Sequence, residues 1–175
     1  MKIIIASDLH GHISNTKKLI ELIKKEKPDK IILLGDLLSS YGMDYEEYDR
    51  YEVASLLNNY APIIESVKGN CDSYEDNELL IFNNRENYKE IYIDDIHFSL
   101  THGHLLYDMP FLNDENSYSL QGHTHYYNLK TRHLNPGSVG MPRGGNPPTC
   151  LIYENKIFSL IDLDTNKIIE TKEII

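Results

Sequence analysis

Ile3-Ile4-Ile5-Ala6-Ser7-Asp8-Leu9-His10-Gly11-His12 is the stretch on which the fold turns. Its first residues read as a short strand that is apolar on both faces. Such a strand needs layers on both sides, so it belongs inside a sheet. Asp8 and His10 then fall at its carboxyl end, where open α/β sheets place their ligands. If the backbone stays extended there, period-two alternation sends both side chains to the same side. One Asp-x-His after a strand says little, since such a pair often only opens a loop. Its weight comes from four later segments with the same design, an apolar strand followed by residues that bind metals.

Working outward, Ser14 or Asn15 can cap a helix that runs to about Glu26. Leu19, Ile20, Leu22 and Ile23 form its buried stripe, and Pro28 ends it. Residues 30–34 form a second buried strand that runs into Gly35-Asp36. This βαβ unit predicts parallel strands, with Asp36 emerging near Asp8 and His10. Residues 39–43 read as a loop and 45–60 as a second helix, with Val53, Leu56 and Leu57 inward and an acidic, tyrosine-rich face in solvent.

A third strand over 62–67 ends in Lys68-Gly69-Asn70-Cys71-Asp72, and residues 73–87 are polar and poorly patterned. Residues 88–93 and 96–100 form a hairpin around Asp94-Asp95 that leads into Thr101-His102-Gly103-His104. Residues 105–116 are a loop. Residues 117–120 are a strand that ends in Gln121-Gly122-His123-Thr124-His125. A strand over 127–131 precedes a glycine-rich loop at 134–140, which residues 142–148 continue. The last third holds three alternating runs, an antiparallel meander. Together these elements predict an α/β (α+β) protein, a four-layer αββα sandwich of two mixed sheets flanked by helices, with 1–175 as one domain.

With 175 residues, 41% of them apolar, the chain can bury a substantial core. A net charge of −10 with few basic clusters excludes long nucleic acid as a surface-bound partner. A small phosphate ester is compatible, because bound cations reverse the local field. Two cysteines make no disulfide framework. The sequence has neither a cleavable leader nor an apolar run of about 18 residues, so no membrane partner and a cytoplasmic location are expected.

The polar residues at strand ends are Asp8, His10, Asp36, Asn70, His102, His123 and His125. Carboxylate, amide oxygen and imidazole make a mixed O/N donor set, suited to manganese, iron or zinc. Seven donors are too many for one ion. They suit two ions about 3.5–4 Å apart with one bridging carboxylate.

In order, Asp8-x-His10, Gly35-Asp36, Gly69-Asn70-Cys71-Asp72, His102-Gly103-His104 and Gly122-His123-x-His125 resemble the motifs of the calcineurin-like metallophosphoesterases. Cys71, the chain size and the Asn135-Pro136-Gly137-Ser138 loop look most like the YfcE-like bacterial and archaeal phosphodiesterases. The resemblance implies a phosphodiesterase with two divalent ions, manganese first and zinc, iron or nickel as alternatives. By it, Asp8, His10, Asp36 and His125 hold one ion, and Asp36, Asn70, His102 and His123 the other.

A water shared by two cations loses its proton near neutral pH, and the hydroxide would attack phosphorus in line with the leaving oxygen. Asp36, Asn70 and His104 are the implied catalytic residues, with Cys71 and His104 facing substrate. Many relatives carry His where Cys71 stands. A thiol is a poor proton donor beside cations, so aryl diesters should react fastest. Asp72 is expected to orient an imidazole. His12, His97, His133 and Cys150 are read as surface or packing residues. The substrate is expected to be a small phosphodiester, and the chain a homo-oligomer. The competing readings are a phosphomonoesterase or nucleotide phosphatase with the same site, and a non-catalytic metal-binding scaffold such as the retromer subunit of this fold.

Overall fold

Ile3, Ile4 and Ile5 are fully buried on the first strand, β1 (Lys2–Ala6). Ile4 enters one hydrophobic core, and Ile3 and Ile5 enter another. This is the two-sided strand that the isoleucine run implies, each side chain worth about 1.5–3 kcal/mol on burial. The computed structural model describes residues 1–40, 46–105 and 117–174.

β1 is followed by α1 (Ile13–Glu26), β2 (Lys30–Leu33), α2 (Arg50–Asn58), β3 (Ile64–Ser66) and α3 (Tyr74–Leu79). Then come β4 (Tyr88–Ile93), β5 (Ile96–Thr101), β6 (Ser117–Leu120), β7 (Tyr127–Asn128), β8 (His133–Pro136), β9 (Thr149–Glu154), β10 (Ile157–Asp162) and β11 (Lys167–Glu173). One sheet has the order β11-β10-β9-β1-β2-β3 and the other β4-β5-β6-β8-β7. Both are mixed. β1, β2 and β3 run parallel, as do β5, β6 and β8, and the remaining pairs are antiparallel.

Leu19, Val53 and Leu57 from α1 and α2 pack with Ile4, Ile31 and Leu33 in the first core. Ile3, Ile5, Phe98, Leu100, Leu120 and Tyr153 join the two sheets in the second. The two mixed sheets are as expected. Among the described residues every helix that adds to a core adds to the first, so the helical layer seen lies on that face.

Local differences have local causes. α1 is capped by His12, whose ring accepts the Asn15 N–H, and not by Ser14 or Asn15 themselves. α2 begins at Arg50 because the Asp49 carboxylate accepts the N–H groups of Tyr51 and Glu52 at 3.0 and 2.9 Å. The expected start at residue 45 lies outside the described residues. The strand expected over 62–67 opens as a 3-10 turn at Ala61–Ile63 and keeps only Ile64–Ser66. Within the polar 73–87 region, Ser73 and Asp76 cap α3 reciprocally. The expected loop at 134–140 begins as part of β8, which pairs with β6 and β7. The 127–131 strand shortens to Tyr127–Asn128. The meander is present and extends the first sheet through β9. Most of the 105–116 loop lies outside the described residues. Among those described, no helix is long and apolar enough to cross a membrane.

Candidate metal centre

The loops after β1, β2, β3, β5 and β6 meet at one edge of the two sheets. The His10 N–H bonds Asp36 O at 2.9 Å, the Cys71 N–H bonds Asp36 Oδ1 at 2.7 Å, and the His123 N–H bonds Asp8 Oδ2 at 3.0 Å. The backbone here is not extended. Asp8, His10, Asp36, His123 and His125 have φ of 55°, 47°, 53°, 68° and 63°. Asp8 and His10 therefore converge through left-handed turns and not through strand alternation. Each such residue costs roughly 1–2 kcal/mol, a strain found where a site demands it.

Two glycines permit the close approach. A Cβ on Gly69 would strike Asp36 Oδ1, and one on Gly122 would strike Ser7 Oγ and Asp8 Oδ2.

The donor atoms form overlapping groups: Asp8 with His10 and His125, Asp8 with Asp36 and His102, and His10 with Asp36 and Cys71. In the first, Asp8 Oδ1 lies 3.2 Å from His125 Nε2 and 3.7 Å from His10 Nε2, and the two Nε2 atoms are 3.2 Å apart. In the second, His102 Nε2 is 3.2 Å from Asp36 Oδ2 and 3.1 Å from Asn70 Oδ1. Asp36 Oδ2 also lies 3.8 Å from His10 Nε2, so it stands between the groups.

Each of three imidazoles donates Nδ1–H to a backbone carbonyl. His10 bonds Ser39 O at 2.9 Å, His102 bonds Leu34 O at 2.7 Å, and His125 bonds Met141 O at 2.7 Å. A carbonyl only accepts, so in the neutral ring the lone pair is on Nε2 and faces the cluster. Among the described residues, Asp8 Oδ1 is buried with no hydrogen-bond partner. An orphaned carboxylate oxygen facing imidazole lone pairs fits a divalent cation.

Burial pushes the Asp8 and Asp36 carboxyls up, but the imidazoles of His10, His125 and His102 around Asp8, and His102, the Cys71 N–H and His10 around Asp36, outweigh it and leave both below the usual range. Burial lowers His10 and His102, yet the same carboxylates hold them above the ordinary imidazole value. Cations would take over the role of those protons. His123 and His104 are lowered, first by burial and then by neighbouring imidazoles.

Asp8, His10, Asp36, His102 and His125 are buried together, whereas Asn70 and His123 sit exposed at the rim. The His123 ring is 5.1 Å from that of His102. Cys71 lines the cleft, with Asn70 Nδ2 donating to its Sγ at 3.4 Å. The His104 ring lies 5.4 Å from that of His102 and 6.1 Å from that of His123, and His104 is not among the described cleft residues.

Asp72 orients no imidazole. Its carboxylate accepts the backbone N–H groups of Asp36, Leu37 and Gly69 and the Asn84 amide, so it fixes the loops that carry Asp36 and Asn70. Sequence reasoning also missed Ser40, Met141 and Arg143, which line the cleft among the described residues. Outside the site, His133 Nδ1 pairs with Ser119 Oγ at 2.8 Å, and His97 stacks on Tyr92.

Parallel strands from two mixed sheets that deliver Asp, Asn and His to one edge define a class, metal-binding phosphoesterases. The family model of the calcineurin-like phosphoesterase superfamily domain matches residues 1–156, and the chain belongs to that superfamily. It is a phosphoric ester hydrolase. It is 36% identical over 177 residues to phosphodiesterase YfcE of Escherichia coli strain K12, covering 97% of this chain and 96% of the relative. The solved structure of YfcE, a phosphoesterase from E. coli, superposes with a TM-score of 0.91 at 33% identity and covers 100% of both chains. Phosphodiesterase MJ0936 of Methanocaldococcus jannaschii is 29% identical over 128 residues, covering 71% of this chain and 74% of the relative.

Proposed function

We propose that this chain hydrolyses small phosphodiesters with two divalent cations. The observation that carries the reading is the position of Asp36 Oδ2, 3.8 Å from His10 Nε2 on one side and 3.2 Å from His102 Nε2 on the other. Asp8, His10, Asp36 and His125 would hold one cation, and Asp36, Asn70, His102 and His123 the second, manganese being the first choice. When bound, the pair supplies Lewis-acid charge and an acidified water.

The protein's own groups do the rest. The Cys71 N–H holds Asp36 Oδ1, which leaves Oδ2 for the cluster. The three Nδ1–H bonds to carbonyls lock the imidazoles with Nε2 inward. His123, exposed at the rim and shifted toward its neutral form, would meet the ester, and His104 would support it from 6.1 Å away. The names of the two phosphodiesterase relatives favour a diester over a monoester. All seven donor residues are present, which favours a working site over a scaffold.

The test is purified protein with manganese and a bis-aryl phosphodiester, where steady hydrolysis is expected. Folded protein that shows no turnover with manganese, zinc, iron or nickel would overturn the reading.

A further inference from the structure

Arg143 carries the fixed positive charge among the described residues that line the cleft. It is exposed, and among the described residues no carboxylate stands within ion-pair distance of it. Its place is set by the metal-bearing loops. The Val139 and Gly140 N–H groups bond Ser7 O and Asp8 O at 3.1 and 2.9 Å. Ser138 Oγ donates to Asp8 O at 2.7 Å, His125 Nδ1 donates to Met141 O, and the Arg143 N–H reaches His125 O at 3.4 Å. The segment from Ser138 to Arg143 is thus stitched to the loops of Asp8 and His125. A guanidinium held in this way, with no ion-pair partner among the described residues and on a chain of net charge −10, is suited to recognising an anion.

We infer that Arg143 binds a second anionic group, a carboxylate or phosphate, on an ester arm of the substrate. This rests on the phosphodiesterase reading. The phosphoryl group belongs over the cluster of Asp36 and His125. The rim cation, one loop further out, is left for the arm, where its planar fork pairs with two oxygens. The preferred substrate class is therefore a phosphodiester with a charged arm, in place of a neutral one.

The experiment uses manganese-loaded protein and p-nitrophenyl phosphodiesters whose second arm ends in a carboxylate, in a phosphate monoester, or in the neutral carboxamide. Calorimetry on the matching non-hydrolysable phosphonates runs in parallel. A partly exposed charge pair gives roughly a fivefold preference for the charged arms in kcat/KM and in Kd. Arg143→Ala brings that ratio to about one, Arg143→Glu inverts it, and Arg143→Lys keeps part of it. The stronger of the two charged arms names the source. Equal binding of charged and neutral phosphonates by the wild type, or an unchanged ratio in Arg143→Ala, would overturn the inference. If no diester turns over, the phosphodiesterase reading fails, while the phosphonate ratios still decide the role of Arg143.

Discussion

Asp72 Oδ2 accepts the backbone N–H of Asp36 at 2.9 Å, so one buried carboxylate positions another. The same atom takes the Gly69 N–H at 2.7 Å and the Asn84 amide at 3.1 Å, and Oδ1 takes the Leu37 N–H at 2.8 Å. An amide cannot replace this acceptor, because its NH2 would face N–H donors. Asp72→Asn should strand one or two buried donors at about 1–3 kcal/mol each. It should also loosen the loops of Asp36 and Asn70. Urea unfolding of cation-free protein should show the lost stability, and manganese titration should show weaker binding. A variant with the wild-type midpoint and affinity would remove Asp72 from this role.

Asp36 and His125 separate the two halves of the centre. Asp36 Oδ2 faces both His10 and His102, whereas among the described residues His125 Nε2 faces Asp8 and His10. Asp36→Ala should release both manganese ions, and His125→Ala should weaken only one. Metal analysis after gel filtration reads the two stoichiometries directly. Full metal content in Asp36→Ala would refute the shared carboxylate.

The donors were legible because each follows an apolar strand that a glycine or turn cuts short. Ile3-Ile4-Ile5 before Asp8 and Ile31-Ile32-Leu33-Leu34 before Gly35-Asp36 need no tertiary information. What stayed hidden depends on contacts between distant segments. The positive φ at Asp8, His10, Asp36, His123 and His125 is fixed by loops packing together. α3 has six residues, too few for a helical period to show, and only its Ser73–Asp76 cap marks it. β8 exists because β6 and β7 flank it, although its residues read as a turn. The work of Asp72 rests on the backbone donors of Asp36 and Leu37, and the placement of Arg143 on the backbone acceptors of Ser7, Asp8 and His125, partners far away in sequence that no local pattern encodes.

Apart from His10, Asp36 and His125, which face the cluster, no described cleft residue is a carboxylic acid or imidazolium placed to protonate a departing alkoxide. His123 is shifted toward its neutral form, and Cys71 offers only a thiol. General acid assistance is worth about 10²–10⁴-fold, so its absence should fall on poor leaving groups. We expect aryl diesters to turn over at least roughly 10²-fold faster than alkyl diesters of the same charge. The check is a series of diesters graded by leaving-group pKa. A flat dependence of kcat/KM across the series would mean that a proton donor acts here after all.

The last prediction concerns how the two sheets are held at their edge. Glu65 on β3 pairs with Lys30 on β2 through Oε1 at 3.1 Å, and with Lys89 on β4 of the other sheet through Oε2 at 3.2 Å. Burial raises the Glu65 carboxyl, but hydrogen bonds and charge from the two lysines outweigh it and hold it below the ordinary glutamate value. The folded protein therefore binds this proton more weakly than the unfolded chain does. The stabilisation is complete above the unfolded value of about 4.3 and is lost as pH falls through the lower folded value. Glu65 is 34% exposed, so solvent screening limits the network to about 1 kcal/mol. Glu65→Gln should lower the unfolding free energy by about that amount near neutral pH, and by less in high salt. The gap between wild type and variant in cation-free urea unfolding should close progressively below about pH 4.3. A gap of the same size near neutral pH and well below the unfolded value would assign Glu65 a packing role and no electrostatic one.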